Sequence, residues 1–403
     1  MITNLSYKKT RLAIIIASIL KEPFACIFPL LPFFLLKDLE AITSHIVLLS
    51  MLRPISAFFS FYFSEFVSRK SITLKSAILW SGVLASCGFI PALLTDDIFL
   101  YIFGATIYMI FTRAQIPAWM EVIKTNISKE KWEKSFSLGS IISYSTGVLY
   151  TILFARMMDS YPMAWKIPFA LALGLGVIAI VVQAALIDND QVIQKETFGL
   201  KDKLYSPIKD SFILMREKGE FRRFQWAFMI GGIGLMIIQP VIPIYFTGSL
   251  QIKYSDLMIA FCICKALGFV FTTPFWNTLL KRISHAMFVV LVLLGFALFS
   301  FLLVFSSLTL HSIFLAYFIY GVAQAGSHLI WHLSGPLFSG EESSSRYSGV
   351  NIVMVGVRGL IGPVIGWCLM QTIQPLSIFV MSMGLSLVGA GYYFFASTKK
   401  AYL

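Results

Sequence analysis

The chain has 403 residues, 58% hydrophobic and 13% charged, with a mean hydropathy of +0.80. Soluble domains are about 25% charged and about 45–50% apolar, so this balance excludes a water-soluble enzyme and points to lipid as the solvent. The net charge of +12 would suggest nucleic acid for a soluble chain; here the basic residues are first placed against a membrane topology, and nucleic acid is not expected as a partner.

Apolar runs long enough to cross the hydrocarbon core occur at residues 12–36, 44–66, 73–94, 98–120, 135–157, 167–187, 223–248, 255–279, 284–306, 312–335, 349–371 and 376–396. They predict an all-α membrane protein of twelve transmembrane helices, spans 1 to 12 in chain order. The stretch 12–20 has the length of a secretory leader. The run resumes after Lys21 and Glu22, however, and reaches Leu36 without a small-x-small cleavage site, so it reads as a span. With the N-terminus inside, and with Lys75, Arg156 and Arg223 at span ends counted with the loops they adjoin, 23 of the 32 Lys and Arg fall in cytoplasmic segments. Four (Lys37, Arg156, Lys166, Lys253) are then outside and five lie within spans. The positive-inside rule places both termini in the cytoplasm, and a multi-pass protein of the cell membrane is expected. Cys26, Cys87, Cys262, Cys264 and Cys368 all fall in spans, so no disulfide framework is implied.

The chain repeats itself. Pro29-x-x-Pro32 in span 1 recurs as Pro240-x-x-Pro243 in span 7 at an offset of 211. At an offset of 212, Glu65-x-x-x-Arg69-Lys70 recurs as Asn277-x-x-x-Lys281-Arg282, Arg53 as Lys265 and Gly147 as Gly359. A shared offset predicts two pseudo-symmetric six-helix halves in parallel orientation, 1–187 and 223–403. The cytoplasmic linker 188–222 joins them. In it Ser206-Pro207 is a helix-start signal, and Ile208, Phe212 and Met215 share a helical face. A short helix on the membrane surface and a plain solvated linker both fit.

Twelve spans in two halves, a basic central loop and a charged turn after span 2 together resemble the major facilitator superfamily. The family pattern for that turn is Gly-x-x-x-Asp-Arg-x-Gly-Arg-Arg; residues 61–70 read Phe-Tyr-Phe-Ser-Glu-Phe-Val-Ser-Arg-Lys. Glu65, Arg69 and Lys70 fit it, while both glycines and the inner arginine are missing. Arg113-Ala-Gln115 in span 4 is similar to the family's Arg-x-x-Gln element, one residue short. The resemblance implies solute transport by alternating access, with the repeated turns (Glu65, Arg69, Lys70; Asn277, Lys281, Arg282) as a cytoplasmic gate motif. Family members that couple sugar uptake to protons often have an acid in span 1 near an arginine in span 4. Glu22 and Arg113 are similar by type and span, so the resemblance implies proton coupling there; a static ion pair is the other reading.

Charges near the bilayer centre cost about 2.5–3.5 kcal/mol each on insertion scales. Away from their ends the spans hold Lys21, Arg53, Arg113, Lys265 and Arg358 against one acid, Glu22. Water, backbone carbonyls or an anionic ligand must answer the excess, unless a base near a span end snorkels to the headgroups. Arg53 lies on a small and polar stripe with Ser50, Ala57, Ser60 and Ser64, the kind of face that meets protein or water. Lys265 shares a line with Cys262, Gly268 and Thr272, and Arg358 a face with Asn351, Gly362 and Gly366. Arg53 and Lys265 are repeat mates, and two symmetric cations across a cavity suit an anion. Span 10 adds Gln324, His328 and His332 at helical spacing with Trp331 beside them. No third ligand accompanies the histidines, so a hydrogen-bonding wall or interhelix contacts are expected, with no metal.

The substrate-binding candidates are therefore Arg53, Lys265, Arg358, His328, Gln324 and Trp331. The leading expectation is a monomeric secondary transporter of a small organic anion, carboxylated or phosphorylated, driven by protons or by exchange, with solute, membrane lipids and protons as partners. Efflux of amphiphilic or drug-like compounds is the alternative, followed by a non-transporting sensor or lipid-handling protein. No phosphate loop and no Ser/His/Asp set can be placed, so neither an enzyme nor a cofactor is expected.

Overall fold

The computed structural model describes residues 4–69, 73–187, 209, 212–339 and 344–398. Eleven of its helical segments are long and apolar enough to cross a membrane. Span 2 is the twelfth, a 27-residue helix at Thr43–Arg69; at about 1.5 Å per residue it reaches about 40 Å. Span 3 is Leu74–Cys87 continued by Ile90–Thr95, span 4 Ile98–Asn126, span 5 Lys129–Phe154 and span 6 Lys166–Ala185. Spans 7 and 9 to 12 are Gly219–Gly248, His285–Val304, Leu310–Ser339, Ser344–Met370 and Pro375–Thr398. Several starts are fixed by side-chain caps: Thr73 accepts from the Ser76 amide, Asp97 from Leu100 and Ser284 from Met287. Each satisfies a backbone donor that the first helical turn leaves open.

Spans 1 and 8 are interrupted. Span 1 runs as Asn4–Leu20, Glu22–Ile27, a 3-10 turn Phe28–Leu30, and Leu31–Lys37. Pro23, Pro29 and Pro32 each sit at the start of one of the last three pieces, since a proline lacks the N–H that the ladder needs. The repeat predicts the same break in span 7. Instead Pro240 and Pro243 lie inside one continuous helix. Span 8 begins as Tyr254–Met258, passes through a π-helix at Ile259–Cys264, and continues as Lys265–Arg282. The π segment changes the helical phase between Cys262 and Lys265, which an even α-periodicity does not anticipate.

The chain divides into two compact units. Unit 1 comprises Met1–His45, Ile55–Leu200 and Lys253–Met258, and unit 2 comprises Ile46–Pro54, Lys201–Ile252 and Ile259–Leu403. In unit 1, Phe24 and Phe28 close on Tyr108, each with ring centroids 4.7 Å away, and Phe24 meets Phe169 at 5.2 Å. Near the end of span 1, Phe34 stacks on Trp165 at 4.4 Å, and Asp38 accepts from the Trp165 indole N–H at 2.7 Å. Asp159 accepts from the Tyr254 and Ser255 amides at 2.8 and 3.0 Å, capping the first turn of span 8.

Unit 2 is built on an aromatic core that includes Phe221, Phe224, Phe288 and Tyr347. Its spans approach closely at glycines. A Cβ at Gly268 would run into the Phe318 carbonyl of span 10, and one at Gly321 into the Lys265 carbonyl of span 8. This reciprocal contact brings the two backbones together, as small residues do between membrane helices.

Of the predicted linker helix, residues 212–217 are helical, while Ser206, Pro207 and Ile208 lie outside the described residues. The buried residue there is Leu214, which joins the unit 2 core; Phe212 is 76% exposed. In the gate motif, Glu65 and Arg69 end the span 2 helix, and Lys70 lies outside the described residues. Asn277, Lys281 and Arg282 are exposed at the end of span 8.

Candidate functional site

Polar residues predicted on spans 8 and 10 come together within unit 2 around a residue that sequence reading missed, Tyr320. Lys265 Nζ lies 5.9 Å from the centre of the Tyr320 ring, within cation–π range. Arg53 acts electrostatically on the same tyrosine. One turn further along span 10 stands Gln324 and one more turn His328, their Nε2 atoms 3.4 Å apart. Phe269, one turn beyond Lys265, meets the His328 ring edge-to-face at 5.5 Å. Two faces therefore oppose each other, Lys265 and Phe269 on span 8 and Tyr320, Gln324 and His328 on span 10. The reciprocal contact at Gly268 and Gly321 sets their separation. Arg53 and His328 are exposed, and Lys265, Phe269, Tyr320, Gln324 and Trp331 are half-buried. The Tyr320 ring is itself held by Phe299 at 4.8 Å and Phe296 at 5.9 Å. Tyr320 was legible in principle, one turn before Gln324 on a face already identified.

Arg358 goes elsewhere. Its guanidinium donates to the Phe228 carbonyl of span 7 at 2.6 Å and lies in the space left by the missing side chain of Gly232. The residues expected to share its face all meet span 7. Asn351 accepts from Gln225, Gly362 faces Met236 and Gly366 faces the Ile237 carbonyl. That face is a packing seam, and the cation is taken up by a backbone carbonyl, one of the three answers expected for a buried base.

The two neighbours Lys21 and Glu22 turn to different spans of unit 1. Glu22 faces span 5: a Cβ on Gly147 would lie 3.6 Å from its Oε1, the Cys26 thiol is 3.9 Å away, and Tyr144 feels its charge. Arg113, the predicted partner of Glu22, is exposed on span 4. Lys21 Nζ donates to Gln183 Oε1 on span 6 at 2.7 Å and to Gln115 Oε1 on span 4 at 3.1 Å. Gln115 in turn donates to the Ile78 carbonyl of span 3 at 2.9 Å. The amide at 115 belongs to the span 4 element noted in the sequence, whereas Gln183 carried no signal.

Residues 23–363 match the Major Facilitator Superfamily, and the chain belongs to that family of transporters. Transport by a twelve-helix, two-halves protein, and no enzymatic reaction, is the class that this membership defines. No curated protein matches in sequence. Among solved structures, the nucleoside transporter NupG is similar with a TM-score of 0.72 at 14% identity, over 96% of this chain and 99% of that one. A peptide transporter POT in complex with alafosfalin gives a TM-score of 0.75 at 12% identity, covering 97% of this chain and 94% of its own. A bacterial homolog of the human lysosomal transporter Spinster, inward-facing and unoccupied, gives 0.67 at 11% identity, over 98% of both chains. At such identities the likeness is one of fold.

Proposed function

We propose that the protein is a secondary transporter of a small organic anion, carboxylated or phosphorylated, moved by alternating access of the halves 1–187 and 223–403 about the linker 188–222. The observation that carries this reading is the placement of Lys265 over the Tyr320 ring, opposite Gln324 and His328, with Arg53 acting electrostatically on the same tyrosine. Charge-assisted hydrogen bonds are the stronger ones, and an arginine can hold a carboxylate or phosphate with two of them. Tyr320, Gln324 and His328 supply neutral hydrogen-bonding groups around the charge, and Trp331 lies one turn on. Arg358 belongs to the supporting seam. Glu22 and Arg113 carry proton coupling or form an ion pair, and the turns ending in Lys70 and Arg282 close the cytoplasmic side. The protein works as a monomer in the cell membrane with both termini cytoplasmic.

The test is thermal stabilisation of the purified protein by a panel of anionic, zwitterionic and cationic metabolites. A ligand at about 100 times its Kd adds about 2.7 kcal/mol of stability. Carboxylates or phosphates are expected to raise the melting temperature of wild type, and Arg53→Gln or Lys265→Gln to abolish that rise while the unliganded protein stays folded. Unchanged stabilisation in both variants would sink the anion site. Efflux of amphiphilic compounds is the second reading, favoured by the aromatic faces of Phe269 and Tyr320. It predicts stabilisation by apolar cations or neutral compounds that survives both substitutions.

A further inference from the structure

Lys21 sits at the midpoint of the Leu5–Lys37 segment, where the helix of span 1 stops at Leu20 and restarts at Glu22. Its two partners are neutral amide oxygens from spans 4 and 6. The oxygen of Gln115 is held toward Lys21 because the nitrogen of the same amide is committed to the Ile78 carbonyl. An ammonium has three N–H donors and no acceptor, so two oxygens leave one donor over. A neutral amine has two N–H bonds, which the same two oxygens satisfy, and a lone pair in place of the third. Loss of one proton therefore breaks neither bond of this cage. A carboxylate partner would do the reverse and hold the ammonium in its charged form.

We propose that Lys21 is a proton-binding site of the transport cycle, caged by Gln115 and Gln183 and alternating between ammonium and neutral amine. The proposal rests on the reading of the protein as proton-coupled and assigns the proton to Lys21 in place of Glu22. The step is a proton transfer alone: water on one side of the membrane supplies the proton to the amine, water on the other receives it, and no other bond changes. The elements packed around the cage carry other ionisable groups; span 5, for one, has Lys129, Glu130, Lys131, Glu133 and Lys134 in its first two turns, and Tyr150 further on. Glu22 and Cys26 on span 1 are turned to span 5, where Tyr144 stands. Span 4 carries Arg113, Tyr108, which packs on Phe24 and Phe28, and towards its ends Tyr101, Glu121 and Lys124. Span 6 carries Lys166 at its first residue, paired with Asp96, and span 3 carries Lys75 in its first turn.

Difference titration of the purified protein tests this, comparing proton uptake by wild type with uptake by Lys21→Met, Lys21→Arg and Glu22→Gln. Wild type minus Lys21→Met should show one proton titrating inside the working range, roughly pH 6–9, where a group that trades protons has to operate. Lys21→Arg keeps a permanently charged donor in the cage and should lose the same proton, which covers the case in which Lys21→Met fails to fold. Glu22→Gln should retain it. If neither Lys21 variant loses a proton from this range, Lys21 is a fixed structural cation and the proposal is overturned. Loss of the proton in Glu22→Gln alone would also overturn it, while leaving proton coupling intact with Glu22 as the carrier. If none of the three variants differs from wild type in this range, neither Lys21 nor Glu22 carries the proton, and the assignment of coupling to span 1 falls as well.

Discussion

Arg358 and Gly232 illustrate how a single buried cation is accommodated. The guanidinium needs both an acceptor and room. Span 7 supplies the Phe228 carbonyl and, four residues on, a position without a side chain. Any Cβ at Gly232 would occupy the volume of the Arg358 guanidinium, so Gly232→Val should displace it and lower the melting temperature by several degrees. Overpacking of this kind costs about 1–3 kcal/mol. Arg358→Gln, which can still donate but fills less space, should be destabilising too, yet should leave anion stabilisation of the surviving folded protein unchanged. Thermal melts with and without ligand check both expectations. Loss of ligand stabilisation in Arg358→Gln would return Arg358 to the substrate site.

Span 8 combines several local departures from a regular helix. Its first turn is capped by Asp159, its second part is a π-helix, and the regular helix from Lys265 lies against span 10 through Gly268 and Gly321. Removing the cap with Asp159→Ala takes the acceptor from two backbone N–H groups, a loss of about 0.5–2 kcal/mol. Amide hydrogen exchange at Tyr254 and Ser255 should quicken in that variant, with the amides after Lys265 unaffected; unchanged exchange would show that the cap contributes nothing. Gly321→Leu should separate spans 8 and 10 and so pull Lys265 away from Tyr320, weakening anion stabilisation without removing any polar group. Thermal shift in the presence of the stabilising anion measures this. The π segment was not legible in the sequence, because Ile259–Cys264 is uniformly apolar apart from its cysteines and carries no Pro or Gly to mark a change of helical pitch. The breaks in span 1 were partly legible through Pro29 and Pro32. The continuity of span 7 was not, since the same Pro-x-x-Pro pattern stays within one helix there.

For the whole molecule, the distribution of basic residues makes a prediction that no packing detail affects. Cysteines placed at Ser160 and Gln371, both exposed between spans, should react with an impermeant thiol reagent from outside intact cells, and one at Lys203 should not. Labelling at Lys203 from outside would invert the topology. The span count and family membership were legible because hydropathy against a fixed membrane thickness is a one-dimensional signal, as is a repeat at a nearly constant offset. The predicted run at 223–248 and the observed helix Gly219–Gly248 end at the same residue. The candidate site was half legible, since Arg53, Lys265, Gln324 and His328 stood out as polar groups in apolar helices.

By itself, the sequence determined that the chain is a twelve-span membrane protein of two related halves, because burial in lipid selects apolar runs of a given length whatever their neighbours are. It also determined that the spans carry more basic than acidic charge. Only the tertiary structure decided where these cations go: Lys265 over the Tyr320 ring, Arg358 to a carbonyl of span 7, and Lys21 to Gln183, 162 positions away. The physical reason is that a polar side chain in a membrane takes whichever partner the packing of another helix brings within reach. That packing depends on glycine contacts, helix phase and breaks, and these involve segments far apart in the chain.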